Sequence, residues 1–155
     1  MHKRRVVVTG IGTINPLGNN VQEYFAALKA GVSGAAPITH FDPEKFKTKF
    51  ACEVKGYNWE DFFDRKEVRK FDLLSQYALV AADQAMVDSG LDLETINKMR
   101  TGVIWAAGIG GLKSMFDEIM GYAEGVSTPR FSPFFIPKMI ADIAAGHISI
   151  KYGFM

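Results

Sequence analysis

Thr101-Gly102-Val103-Ile104-Trp105-Ala106-Ala107-Gly108-Ile109-Gly110-Gly111-Leu112 is the stretch on which the fold class turns. Its first seven residues are apolar without strict alternation, the pattern of a parallel strand covered on both faces. Glycines then close it. From there Leu112, Met115, Phe116, Ile119, Met120 and Ala123 recur at i, i+3, i+4, i+7, i+8 and i+11, the stripe of an amphipathic helix. A covered strand, a glycine turn and a helix in that order predict an α/β fold, with 101–107 at a central position of a layered sheet.

The segments on either side repeat this alternation. Upstream, Leu73 to Ser89 reads as a helix whose Leu74, Tyr77, Ala78, Ala81 and Ala85 form a small-residue stripe, and Gly90 ends it. Small residues on a buried face let a neighbour approach closely. Asp61 to Lys70 reads as a short charged helix. Phe46 to Val54 reads as a strand between the turn residues Asp42-Pro43 and Gly56. Arg5 to Gly10 is a β-branched strand, and Asn20 to Gly31 a helix with Asn20 as its N-cap, Gly31 at its end, and Val21, Tyr24, Phe25 and Leu28 inside it. Downstream, Pro129, Pro133 and Pro137 keep the chain non-helical until Met139, Ile140, Ile143, Ala144, His147 and Ile148 mark another helical face.

A chain of 155 residues, 48% hydrophobic and 23% charged, suits one soluble globular domain. The formal net charge of +1 removes the global electrostatic argument for nucleic acid, so a charged partner must be met by a local patch. Cys52 is the single cysteine; an internal disulfide is excluded and a reduced, intracellular setting is expected. The basic start Met1-His2-Lys3-Arg4-Arg5 leads into Val6-Val7-Val8, but the apolar run breaks at Thr9-Gly10, short of the roughly 7–15 residues of a signal peptide core. No run approaches the ~18 apolar residues of a membrane span. These features predict a cytoplasmic protein with no membrane segment.

Five places bear on chemistry. Gly10-Ile11-Gly12-Thr13-Ile14-Asn15 follows a strand as a dinucleotide-binding turn does, yet Asn15 replaces the third glycine and Pro16 follows, which favours a tight structural turn. Cys52 lies among Phe50, Ala51 and Val54, which favours a buried small hydrophobe over a nucleophile. With histidine only at 2, 40 and 147, neither a Cys-His pair nor a zinc site follows from spacing, so no metal and no cofactor are expected. Gly108-Ile109-Gly110-Gly111 permits either a simple turn or close approach of backbone to a ligand, with Ile109 projecting an alkyl group. Lys66, Arg69 and Lys70 share one face if 61–70 is helical; beside Asp64 and Glu67 they are either a self-paired solvated surface or a dock for an acidic partner. Phe131-Ser132-Pro133-Phe134-Phe135-Ile136-Pro137 must pack its apolar residues against the body, a second subunit or an apolar ligand.

Several of these motifs occur together in one known family. Arg4-Arg5-Val6-Val7-Val8-Thr9-Gly10-Ile11-Gly12 with Asn15-Pro16-Leu17-Gly18, then Arg65-Lys66-Glu67-Val68-Arg69-Lys70-Phe71-Asp72, Asp88-Ser89-Gly90-Leu91, Gly108-Ile109-Gly110-Gly111, Ser132-Pro133-Phe134-Phe135-Ile136-Pro137 and Gly146-His147 run in the same order. The chain resembles the condensing enzymes of bacterial fatty acid synthesis, the β-ketoacyl-acyl carrier protein synthases, and among them the type II enzymes. The resemblance implies a thiolase-like αβαβα layered fold, of which residues 1–155 would be the N-terminal portion, and a homodimer. Such enzymes take an acyl group onto a cysteine and condense it with malonyl carried on acyl carrier protein, losing carbon dioxide.

No catalytic residue is assigned here. The family's cysteine follows shortly after the segment matching Ile148 to Gly153, and its two histidines lie further on. By the same resemblance, Lys66, Arg69 and Lys70, with Arg130, contact the carrier protein. Ile109 gates acyl-chain length, and Phe134 and Phe135 line the acyl pocket across the dimer interface. The full protein would be an acyltransferase and this chain alone inactive; a polyketide-type ketosynthase relative or a non-catalytic docking module are the alternatives. Apolar helix faces at Met139, Ile140 and Ile143 would then lie open on the isolated chain.

Overall fold

The computed structural model describes residues 4–125 and 130–155. It contains two compact units: Met1–Asn58 with Val80–Gly90, and Trp59–Leu79 with Leu91–Met155. Helix α2 (Leu73–Ser89) runs through both, its first residues in the second unit and the rest in the first.

In the first unit, helix α1 (Val21–Lys29) begins where expected, because the Asn20 side chain accepts the Glu23 N–H at 2.9 Å. The Glu23 carboxylate in turn accepts the Asn19 N–H at 2.8 Å, a near relative of the capping box. At the other end Gly31 N–H reaches Leu28 O and Val32 N–H reaches Ala27 O, the Schellman pair of hydrogen bonds. Strands β1 (Ala36–Pro37) and β2 (Phe50–Ala51) pair antiparallel, with Ala36 opposite Ala51 and Pro37 opposite Phe50. The strand expected over 46–54 is therefore only two residues long. Pro37 has no N–H to give; past it one more backbone bond forms, from Ile38 N–H to Lys49 O at 3.1 Å, and then the Glu53 carboxylate takes the N–H groups of Thr39 and His40 and the Thr39 hydroxyl, so side-chain bonds stand where the ladder would continue. Cys52, expected to be buried, is exposed. So short a ribbon offers no second layer to cover that face.

Arg5 to Gly10, expected as a strand, belongs to no β-ladder among the described residues, and Val6 is 93% exposed. Beyond it the chain is pinned to α2: Ile11 N–H donates to the Asp88 carboxylate at 2.8 Å and Thr13 N–H to Gln84 Oε1 at 3.1 Å. The glycines of this turn face protein. A Cβ at Gly10 would strike the Ala85 carbonyl oxygen, and one at Gly12 the Ala81 carbonyl oxygen, so both serve close approach to the small-residue side of α2.

In the second unit, Phe63, Ala78, Leu79, Ala144 and Ile148 form the core. Ser75 and Gln76 are buried beside Ala78 and Leu79, so this part of α2 is covered around more of its circumference than a single stripe. Helix α3 (Leu112–Ala123) has the predicted bounds. The segment before it differs from expectation. Residues 101–107 alternate between half-buried and exposed, Ile104 is 98% exposed, and no strand pairs with them among the described residues. The central sheet predicted there is not formed among the described residues; a strand needs a neighbour for its N–H and C=O groups, and apart from Met155 N–H, which donates to Thr101 O at 3.2 Å, no described segment pairs with 101–107 as a ladder.

Three further expectations are corrected. Phe135–Met139 is a short helix, α4, although Pro137 lies within it. Phe134 is its N-cap, so Pro137 falls in the first turn, where the missing N–H would have had no intrahelical partner. Helix α5 (Ile143–Tyr152) then starts after a break at 140–142 instead of continuing from Met139. Asp61 to Lys70 is likewise not one helix: the 3-10 turn Trp59–Asp61 ends at its first residue and the 3-10 turn Val68–Lys70 closes it.

Candidate functional site

The basic segment owes its shape to its acids. The Asp64 carboxylate accepts the N–H groups of Lys66 and Glu67, both at 2.7 Å, while the Glu67 carboxylate accepts the Asp64 N–H at 3.3 Å. Those backbone bonds, and then the nearby charges of Lys66 and Lys70, hold the Asp64 carboxyl below its ordinary range. Asp64 and Glu67 are thus engaged with backbone, and none of Lys66, Arg69 and Lys70 is in an ion pair among the described residues. All three are exposed. The self-paired surface considered from the sequence is not what forms. Without a continuous helix, the i, i+3, i+4 argument that put them on one face no longer applies; Arg69 and Lys70 stand on the Val68–Lys70 turn and Lys66 just before it.

Aromatic contacts seat this segment on the body of the unit. Phe63 meets Phe71 edge-on with ring centroids 5.5 Å apart, and Phe71 meets His147 of α5 at 4.7 Å. Burial, and secondarily the Lys70 charge, push the His147 imidazole below its usual value.

The turn at 108–111 joins the extended segment to α3. Gly110 has φ +90°, which a side chain would strain, and Gly111 N–H donates to Met139 O at 3.0 Å. The turn therefore lies against the carboxyl end of α4, whose opposite end carries Phe134 and Phe135, about 1.5 Å of rise per residue away. Ile109 itself is 70% exposed, while Phe134 and Phe135 are half-buried. Of the destinations open to the aromatic loop, packing on its own body is observed: Phe131 stacks between Tyr122 of α3 at 5.4 Å and Phe135 at 5.1 Å. Ser132 fixes the loop's start, its N–H donating to Glu118 at 3.0 Å and its hydroxyl accepting the Phe134 N–H at 3.2 Å.

Arg130 is exposed at the rim of a cavity of about 310 Å³, which it lines with Lys138, Tyr122, Asp117 and Glu118. Asp117 is paired with Lys113 at 2.7 Å and Glu118 binds the Ser132 N–H, so the two acids of this cavity already have partners. Lys138 was not singled out from the sequence, and Asp72 entered only as the last residue of the 65–72 motif, with no role given to its carboxylate; its place directly before the helical run of α2 is the signal that could have marked it as a cap. A larger cavity, about 440 Å³, lies in the first unit between Ile11, Val21, Val87 and Asp88. The Asp88 and Gln84 side chains beside it are bound to backbone groups. Among the described residues no cluster of three His, Cys, Asp or Glu side chains could hold a metal ion.

Comparison with known proteins agrees with the resemblance. The family model described as "Beta-ketoacyl synthase, N-terminal domain" matches residues 3–155. The chain is 45% identical, over 99% of its length, to 3-oxoacyl-[acyl-carrier-protein] synthase 2 of Vibrio cholerae, covering 37% of that protein. It is 44% identical to the protein of the same name from Coxiella burnetii, over 98% of this chain and 36% of that one. It thus spans a little over a third of the length of these relatives. Among solved structures, the ishigamide ketosynthase/chain length factor superposes with a TM-score of 0.82 at 30% identity, over 99% of this chain and 38% of that one. A β-ketoacyl synthase from Burkholderia phymatum gives 0.78 at 26% identity, over 98% and 38%. The fold is accordingly α/β of the thiolase-like kind, and the chain belongs to the β-ketoacyl synthase family, of which it carries the N-terminal domain sequence.

Proposed function

We propose that this chain is the amino-terminal part of a cytoplasmic, homodimeric acyltransferase of its relatives' length. That enzyme lengthens fatty acyl chains by decarboxylative condensation with malonyl-acyl carrier protein. The observation that carries this reading is identity of 41–45% to proteins named 3-oxoacyl-[acyl-carrier-protein] synthase 2 along almost the whole chain. A polyketide-type ketosynthase is the second reading, favoured by the ishigamide enzyme, but at the lower identity of 30%. In either, the acyl group would pass to a cysteine outside the matched residues. This part of the protein would receive the carrier and hold the chain.

Lys66, Arg69, Lys70 and Arg130 form the dock. Exposed cations with no carboxylate ion-pair partner among the described residues suit an acidic carrier, because steering depends on charge that is not already neutralised locally. Ile109, Phe134 and Phe135 line the acyl pocket, where each buried methylene contributes roughly 0.8 kcal/mol. A complex of a type II polyketide ketosynthase with its acyl-carrier protein, 24% identical and with a TM-score of 0.77, is a precedent for such docking on this fold.

The test is charge reversal of Lys66, Arg69 and Lys70 together in a protein of full relative length. Carrier-protein affinity should fall at least tenfold, the wild-type affinity should drop with added salt, and condensation on saturating small thioester should persist. Unchanged affinity would remove the dock. Failure of the parent protein to release carbon dioxide from malonyl-carrier protein when given an acyl donor would remove the condensing function.

A further inference from the structure

A buried carboxylate to which neither the family resemblance nor the docking argument gives a role lies beside the 108–111 turn. Asp72 is 7% exposed and has no ion-pair partner among the described residues. Three pieces of backbone converge on it. As the N-cap of α2, its main-chain oxygen accepts the Gln76 N–H at 3.0 Å and its Oδ1 accepts the Leu74 N–H at 2.9 Å. Its Oδ2 accepts the hydroxyl of Ser114, in the first turn of α3, at 2.6 Å. The carboxylate carbon also stands 3.0 Å from where a Cβ on Gly111 would be.

Gly111 is confined from the opposite side as well. A Cβ there would run into the Lys138 carbonyl oxygen, and one at Gly110 into the Met139 carbonyl oxygen. The turn is held between the Asp72 carboxylate and the carbonyl end of α4, and Ile109 is the residue it presents. We infer that Asp72 and Ser114 are positioning residues: their hydrogen bond fixes the Gly110-Gly111 turn against α4 and so sets where Ile109 stops an acyl chain. This rests on the reading of Ile109 as the chain-length gate. A carboxylate suits the role because it can accept from the helix N-terminus and from Ser114 at once, and burial makes either bond costly to lose.

The experiment uses a protein of full relative length, with KM and kcat measured separately for a short and a long acyl-carrier protein. Ser114→Ala and Asp72→Ala should loosen the gate and raise the long-to-short ratio of kcat/KM about fivefold or more, chiefly through a lower KM for the long chain. Asp72→Asn should restore the parental ratio, because its amide can accept from Leu74 N–H and donate to the Ser114 oxygen. A helix-cap role without gating would instead lower stability and leave the ratio alone. Ile109→Phe is the control for the underlying reading and should lower the ratio. If Ile109→Phe shifts the ratio while Ser114→Ala does not, the positioning role is overturned and the gate stands. If Ile109→Phe has no effect, the gate falls and the positioning role with it. Should Asp72→Ala fail to fold, Ser114→Ala decides the question, since it removes only one hydroxyl.

Discussion

His147 makes a T-shaped contact with Phe71 and has its Nε2 buried without a hydrogen-bond partner among the described residues. Burial disfavours the imidazolium, and the Lys70 charge adds to that, so the folded-state value lies below the ordinary 6.5. The sign of the linkage follows. Between the depressed folded value and about 6.5 the unfolded chain binds more protons than the folded one, so stability is full above that window and falls as pH drops through it. Denaturant midpoints should therefore decrease from pH 7.5 to 5.5. The lowered carboxyls of Glu53 and Asp64 act in a more acidic range, below their ordinary 4.5 and 3.8. His147→Phe keeps an aromatic ring and removes the titration, and should flatten the slope over that interval. An equal slope in the variant would show that burial at this position has no thermodynamic weight.

The N-cap of α1 puts a comparable local argument at the scale of an element. Asn20→Ala leaves the Glu23 N–H without its acceptor and should cost about 1 kcal/mol, read as a shift of the urea midpoint with unchanged m-value. A midpoint within error of the parent would mean that solvent satisfies that end equally well. Helices were the most legible elements, because their periodicity is local: α2 and α3 have the bounds their apolar spacing predicts. Three of the misread elements are ones in which a side chain competes with the backbone for hydrogen bonds. Asp64 folds 64–67 around its own carboxylate where a helix was expected, Glu53 curtails β2, and Ser132 helps set up the turn that lets Pro137 enter a helix. At the candidate site, the glycines, the basic residues and the aromatic loop were readable as residue types. Asp72 was not, because its defining partner Ser114 is 42 residues away in sequence.

For the whole molecule, the two segments read most firmly as strands, 5–10 and 101–107, have strand-like composition and no ladder among the described residues. Val6, Val7, Val8 and Ile104 present apolar side chains to solvent, with Phe50, Ile109, Ile136 and Ile150 also exposed. An extended segment with open N–H and C=O groups and β-branched side chains is a template for pairing with another strand. Exposed apolar surface adds a non-directional drive in the same sense. Of the residues expected to lie open, only Ile140 is exposed, at 38%, whereas Met139 and Ile143 are partly buried, so the larger contribution comes from the strand-like segments. The 155-residue chain expressed alone should therefore self-associate. Light scattering across a hundredfold concentration range should give a mass that rises with concentration. Replacing Val7 and Ile104 with lysine should bring it toward that of one chain, since a charge on an open edge opposes pairing. A constant mass of 17.2 kDa for the parent chain at every concentration would show that the open segments are satisfied by solvent, and the pairing argument would fail.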